Sequence, residues 1–537
     1  MRARFWAFQP PTRVFRRRTT THGDRSLSAA PRRRDATCLL AIVLSPVLAA
    51  GAGCDLPGDS GPSAPPRRVE KKAANPPPGL PASFTAGQRL DWSDCPESSG
   101  ARGDGWECAT MKAPLDYRRP GRDTIDVAMI RKRATGPERK RIGSLLLNFG
   151  GPGQSGIIGL PVFADDYEAL NERYDLVSFD PRGVRGTAPV RCGKDEFEGA
   201  DGCKKYSGRV LPYVGTSQTA RDLDLMRYLL GDEKLHYFGV SYGTALGGVY
   251  AHLFPENVGR VVLEAPVDPA LNRLEAEISG AEAVQLAFDR FAAHCARAYG
   301  DCPLGRDPAQ AGRRVIELLK RLKKKPAPTG GDEKLDDSLA ARAIGNYLDL
   351  GEEGWRPLVE ALREVMERGG GGKLLDKAYD HGPKRRAAGT GAGARGRVSD
   401  SGSTSAFVAI TCADSSVRPG FAAAERMIKR ITAASPVFGE TWSGAVYLCY
   451  DWPFKGESAT FDVSADGAAP ILVVANTGDP TTPYSGAGHM VAELGAGVGV
   501  LLTVRAEGHG SYPHIRCAAE AVDAYLLDGR TPPAACG

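Results

Sequence analysis

The stretch 235–255, LHYFGVSYGTALGGVYAHLFP, sets a serine between two glycines, after a short apolar run and before a helix-like one. Gly239-Val240-Ser241-Tyr242-Gly243 fits G-x-S-x-G, a turn from strand into helix so sharp that the serine is held in a strained backbone. Side chains at the flanking positions would collide across that turn, so glycine is required there. In a chain with 65 glycines the pentad also arises by chance, and its surroundings must decide.

Those surroundings have the rhythm of a sheet. TIDVAMIRKRA (124–134) alternates like a half-buried strand, and GSLLLNFGG (143–151) is an apolar strand ending in glycines. YDLVSFDPRG (174–183) is a short apolar strand with turn residues behind it. Residues 216–231, TSQTARDLDLMRYLLG, read as a helix with Thr216 as N-cap and Gly231 as its stop. After the serine turn and its helix comes VGRVVLEAPVDP (258–269). Strand and helix in alternation predict a mostly parallel sheet covered on both faces.

That alternation then lapses. From 269 the pattern is helical, as in AEAVQLAFDRFAAHCARAYG (281–300) and RRVIELLKRLKKK (313–325), and about 365–405 is rich in glycine and arginine and reads as mobile in part. Sheet grammar returns with APILVVANTGDPTTP (469–483) and GVGVLLTVRAEGHGSYP (497–513), each an apolar strand running into a polar loop. The expected organisation is a core over 84–268, a helical cap inserted over 269–460, and the rest of the core over 461–537. No internal repeat is visible.

The N-terminal residues belong to none of this. Residues 1–54 read as a signal region: a basic leader, the apolar run CLLAIVLSPVLAA (38–50), then small residues. Thirteen apolar positions interrupted by proline are too few for a spanning helix. Cleavage after Ala52 and lipidation of Cys54 both stay open, although Gly51 stands where a lipoprotein signal carries a branched apolar residue. A start codon assigned too far upstream would also explain the long leader. A Pro-rich tether over 55–83 leads to folded sequence near Phe84.

Export agrees with the cysteines. Beyond Cys38 and Cys54 ten remain, an even number, and their spacing suggests neighbour pairs, although sequence does not determine connectivity. The pairs are Cys95–Cys108, Cys192–Cys203, Cys295–Cys302, Cys412–Cys449 and Cys517–Cys536. Neither C-x-x-C nor H-x-x-x-H spacing occurs, so no metal site is expected. The net charge of +5 is small for 537 residues and argues against a nucleic-acid partner.

A serine hydroxyl is a weak nucleophile and needs a base oriented by a third group. Of eight histidines, His509 in EGHG lies in the loop just after an apolar strand. His514 is its nearest rival but lies farther from the strand end. Asp479, in the loop after the preceding strand, completes the order Ser241, Asp479, His509, the chain order of the α/β-hydrolase triad. Taken singly, Asp479 also suits an Asx turn before Pro480, and His509 an ordinary loop. Negative charge on a tetrahedral intermediate needs N–H donors, which LNFGGPGQSG (147–156) can offer at Gly150 or Gly151, together with Tyr242. No Gly-Lys-Ser/Thr follows those glycines, which rules out a P-loop.

NFGGPGQSG, YDLVSFDPRGVRGT, the serine stretch through VDP, and TGDPTTP with GHGSY together resemble the secreted prolyl iminopeptidase and tripeptidyl aminopeptidase family of α/β-hydrolases. The resemblance covers roughly 85–270 and 405–537, and CAAEAVDAYLLDGRTPPAAC (517–536) looks like that family's C-terminal helix and disulfide. Phe149 stands where the prolyl enzymes carry histidine, which favours the tripeptidyl branch and weakens any strict proline preference. The resemblance implies a serine exopeptidase that releases short peptides or single residues from peptide N-termini without a cofactor, and the chain is expected to be exported and monomeric. Its cap would exclude folded proteins, and a carboxylate near the cap would bind the substrate ammonium. Glu264, Asp268, Asp414 and Asp451 are the acids near the insertion's edges. An esterase with the same triad is the alternative within enzymes, and a non-catalytic surface binding protein the alternative outside them.

Overall fold

The computed structural model describes residues 74–194, 197–379 and 401–537. The signal region with Cys54, the tether up to residue 73 and most of the Gly/Arg-rich segment (380–400) lie outside the described residues.

Among the described residues nine strands form one sheet in the order β1-β2-β4-β3-β5-β6-β7-β8-β9. They are β1 (Trp106–Pro114), β2 (Thr124–Lys132), β3 (Gly143–Asn148), β4 (Tyr174–Phe179), β5 (Leu235–Val240), β6 (Val258–Glu264), β7 (Ile471–Gly478), β8 (Gly499–Glu507) and β9 (Ala535–Cys536). β2 is antiparallel to both β1 and β4, and all other pairings are parallel. This is the mostly parallel sheet expected of an α/β-hydrolase.

The central strands β3 and β4 are buried at every position because each face of the sheet has its own cover. Leu146, Tyr237, Val261, Leu263 and Val473 face the helices Thr216–Leu230, Tyr242–Leu253 and Ser485–Leu494. Their alternates Leu145, Leu147, Phe238, Val262, Leu472 and Val474 join Leu160, Leu170 and the helix Arg516–Asp528 in a second core. Because β5, β7 and β8 are parallel, the loops after them emerge at one edge of the sheet, where α/β proteins build their sites.

Two local expectations need correction. The N-cap of the helix Thr216–Leu230 is Gly215, not Thr216. The Thr216 hydroxyl instead lies 2.7 Å from the carboxylate of Asp414 and 2.6 Å from the Tyr242 hydroxyl, so a tertiary partner outcompetes the cap. The helix does end at Gly231, whose φ of 78° is the left-handed conformation glycine adopts freely. Folded chain also begins before Phe84: the Asn75 carbonyl accepts a 2.8 Å bond from buried Arg227, and Leu80 packs on the core.

Between β6 and β7 the described elements are mostly helical. The helix Arg273–Ala298 opens with a capping box formed by Asn272 and Glu275. It joins Pro308–Lys324, Asp337–Leu348, Glu352–Glu367 and Gly372–Ala378 around a separate core that includes Phe288, Phe291, Ile344, Trp355 and Phe438. Ala406 and Ile410, on the helix Ser401–Asp414, pack instead against Tyr242 and Ala245 beside the serine turn. Disulfides join Cys95–Cys108, Cys192–Cys203, Cys295–Cys302, Cys412–Cys449 and Cys517–Cys536. No described helix is long and apolar enough to cross a membrane.

Candidate active site

Ser241 stands between β5 and its helix with φ 58° and ψ −122°, a conformation that a non-glycine residue adopts only when its surroundings force it. Here the neighbours force it. A Cβ on Gly239 would lie 2.4 Å from the Gly243 carbonyl oxygen, and one on Gly243 would lie 2.8 Å from that of Asn148. The Ser241 N–H donates to the Glu264 carbonyl at 2.9 Å, and the Ser241 carbonyl accepts from the Thr244 N–H and hydroxyl at 2.9 and 2.6 Å.

The loop after β3 lies directly against this turn. A Cβ on Gly150 would come within 2.6 Å of the Val240 carbonyl oxygen and 3.0 Å of the Ser241 Cβ. The Gly150 N–H donates to Asn148 Oδ1 at 3.1 Å and is therefore already engaged. Of the anticipated oxyanion donors, Gly151 borders the cleft, and Tyr242 heads its helix, where N–H groups have no partner within the helix.

Asp479 and His509 meet as neighbouring loops. His509 Nδ1 lies 2.9 and 3.1 Å from the two carboxylate oxygens of buried Asp479. Asp479 also accepts the N–H groups of Thr481 and Thr482, both at 2.8 Å, and the Thr482 hydroxyl at 3.0 Å. Four donors on one carboxylate fix its direction. All side-chain hydrogen bonds of His509 use Nδ1, which leaves Nε2 for the cleft.

The histidine loop is held from below by two buried side chains. Asn476 donates to the carbonyls of Gly508 and Gly510 at 2.9 and 2.8 Å and accepts from the Ser511 hydroxyl. Glu264 Oε1 accepts the N–H groups of Ser511 and Tyr512, both at 2.8 Å. Burial pushes Glu264 up to about 7, against these two bonds and the nearby His509. For His509 burial opposes the charged form, but the charge and hydrogen bond of Asp479 outweigh it, and Asp349 and Glu264 add to them, raising the imidazole to about 9.

Ser241, His509, Gly151 and Glu264 line one cleft of about 670 Å³. Asp166 also lines it, and the insertion contributes Asn346, Asp349, Leu350, Glu352 and Glu353. Of the acids anticipated near the substrate amine, only Glu264 lines it. Asp268 pairs with His489 at 2.7 Å, Asp414 binds the N–H and hydroxyl of Thr216, and Asp451 is exposed elsewhere. His514 borders the same cleft but is exposed. The insertion's own acids had no signal in the sequence, since two glutamates opening a helix suit any helix N-terminus. Among the described residues no group of three or more His, Cys, Asp and Glu is placed to hold a metal ion.

Residues 435–536, which include Asp479 and His509, match the family model for TAP-like proteins. The chain is 35% identical over 493 residues to the serine protease Hip1 of Mycobacterium tuberculosis, covering 83% of this chain and 90% of that one. It is 29% identical over 493 residues to a tripeptidyl aminopeptidase of Streptomyces lividans, covering 84% and 87%. It is 32% identical over 501 residues to carboxylesterase B of Mycobacterium tuberculosis, covering 87% and 92%. With a serine turn on a mostly parallel sheet and likeness along most of its length, the chain belongs to the α/β-hydrolase family of TAP-like serine hydrolases that includes Hip1 and the tripeptidyl aminopeptidases.

Proposed function

We propose that this protein is an exported serine exopeptidase that releases tripeptides or single residues from the N-termini of short peptides. The observation that carries this reading is the cleft itself: Ser241 and His509 lie in a space of about 670 Å³ that the helical insertion shares with Asp349, Glu352 and Glu353. Such a space suits a chain end better than a folded protein, and its carboxylates have the sign of charge an ammonium requires. The five disulfides fit an oxidising compartment.

In this mechanism the Ser241 hydroxyl attacks the scissile carbonyl carbon while His509 Nε2 takes its proton. Asp479 holds the resulting imidazolium by Nδ1. The N–H groups of Gly151 and Tyr242 receive the oxyanion. Collapse breaks the C–N bond, His509 returns the proton to the departing amine, and water then releases the acyl group by the same route.

Acetylating a good substrate would remove the ammonium and leave carboxylates without their partner. That loss is on the order of 2–5 kcal/mol, so kcat/KM should fall roughly 30- to 1,000-fold or more. The test compares free, acetylated and simple ester forms of one acyl group. Equal rates on free and acetylated peptides would end the exopeptidase reading. A second reading, an acyl esterase, is favoured by the likeness to carboxylesterase B and would emerge from the ester arm.

A further inference from the structure

We propose that Asp349, in the helical insertion, is a positioning residue through which the cap holds both the base His509 and the loop of its acid partner. This rests on the triad reading above. Asp349 occupies the turn between the helices Asp337–Leu348 and Glu352–Glu367. Its main-chain carbonyl accepts the His509 N–H at 2.8 Å. Its side chain accepts the Thr481 hydroxyl at 2.7 Å, and the Thr481 N–H in turn donates to Asp479 Oδ1 at 2.8 Å. One residue of the insertion thus bridges the two loops that carry acid and base.

The contact is built at backbone distance. Gly351 has φ 60° and ψ −143°, and a Cβ there would lie 2.4 Å from the Glu507 carbonyl oxygen. A Cβ on Gly508 would lie 2.7 Å from the Gly351 nitrogen and 2.9 Å from the Asp349 carbonyl oxygen. The turn of the cap and the histidine loop therefore meet with no side chain between them.

The plainer explanation is that Asp349 merely ends its helix, where it is the C-cap residue. A carboxylate at a helix C-terminus faces the negative end of the helix dipole and is unfavourable there. Nothing about helix termination calls for aspartate at this position, whereas the Thr481 hydroxyl and the nearby imidazole both do.

The charged groups acting on His509 are Asp479 from the loop after β7, Glu264 from the end of β6, and Asp349 from the cap. Lys377, on the helix Gly372–Ala378, acts on Asp349, as do His509 and Asp479. Glu507, at the end of β8, is engaged by Arg290 at 2.9 Å. Removing the negative charge of Asp349 therefore removes one of three groups that favour the protonated imidazole. The imidazole pKa should fall, and the acid limb of any reaction that needs neutral His509 should move to lower pH.

The test is the rate at which a small organophosphonate labels the intact protein between pH 5 and 10, in wild type, D349N, D349A and H509A. Thermal unfolding monitors the fold, and mass spectrometry locates the adduct. The probe carries no ammonium and is too small to need the cap, so its rate reads the base. D349N keeps an oxygen for Thr481 but loses the charge, so its acid limb should shift down by roughly one pH unit with the plateau nearly kept. D349A also loses the side-chain bond to Thr481, while its main-chain carbonyl still accepts from His509, and its plateau should fall about tenfold or more. A residue that only supports the cap would move neither limb nor plateau. Coincident profiles for wild type and D349N overturn the proposal, and D349N alone decides if D349A fails to fold. An adduct away from Ser241, or a rate indifferent to H509A, sinks the triad reading and this proposal with it.

Discussion

The two sides of the proposed catalytic centre are held by different means. The nucleophile side is a backbone device: Ser241 is set by a turn in which a Cβ at Gly239 or Gly243 has no room. The base side is largely a side-chain device. His509 and its loop depend on hydrogen bonds with the side chains of Asp479, Asn476 and Glu264 and with the main-chain carbonyl of Asp349, residues drawn from three segments of the chain. A backbone device fails by steric collision and takes local folding with it. A side-chain device can be weakened a step at a time and shows its failures first in rate and pH dependence. The cap touches the base side through Asp349, and at the nucleophile side it packs on Tyr242 through the helix Ser401–Asp414.

The largest effect should come from removing the base itself. H509A should lower kcat by about 10⁴-fold with the fold kept, whereas H514A should stay within about threefold. Steady-state kinetics on one peptide substrate would decide, and the reverse pattern would assign the base to His514.

Next is the steric limb of the comparison. G239A forces a Cβ to 2.4 Å from the Gly243 carbonyl oxygen and should cost about 1–3 kcal/mol or more, with Ser241 displaced. G488A is its control: this exposed position lies in the helix Ser485–Leu494, and a Cβ there meets nothing within 4 Å. It should stabilise by about 0.5–1 kcal/mol. Chemical denaturation of both variants provides the measurement, and equal effects would refute the claim that the nucleophile side is sealed by backbone.

The smallest effect concerns Glu264. Burial raises it from an ordinary 4.5 to about 7, so the folded state keeps a proton that the unfolded chain releases between those values. Its contribution is fully present below 4.5 and is lost as pH rises to about 7. Wild type should therefore lose more stability between pH 5 and 8 than E264Q, whose amide oxygen can still accept from Ser511 and Tyr512. Parallel urea midpoints for the two proteins across that range would contradict it.

Much of this was legible in the sequence, for physical reasons that differ by region. Ser241, Asp479 and His509 each follow an apolar strand, and parallel strands bring their trailing loops to one edge, so periodicity and order alone placed them together. Thr216 was misread as an N-cap because Asp414, far along the chain, takes its hydroxyl, and local pattern carries no trace of that partner. The strand β1 went unread although Met111 and Ala113 are buried alternately with exposed Thr110 and Lys112. The cleft's cap residues were not legible at all. Asp349, Glu352 and Glu353 acquire their place only from how two helices dock on the histidine loop, and the acids nearest the insertion's edges mostly turned elsewhere.

The central claim is that Ser241 is a nucleophile activated by His509. The most direct measurement is the site and His dependence of one covalent adduct. Folded protein is treated with an organophosphonate and digested, and the modified peptide is sequenced by mass spectrometry in wild type, S241A, H509A and H514A. The account predicts a single adduct on Ser241, absent in S241A, nearly absent in H509A and undiminished in H514A. An adduct on any other serine, or full labelling of Ser241 in H509A, would contradict it.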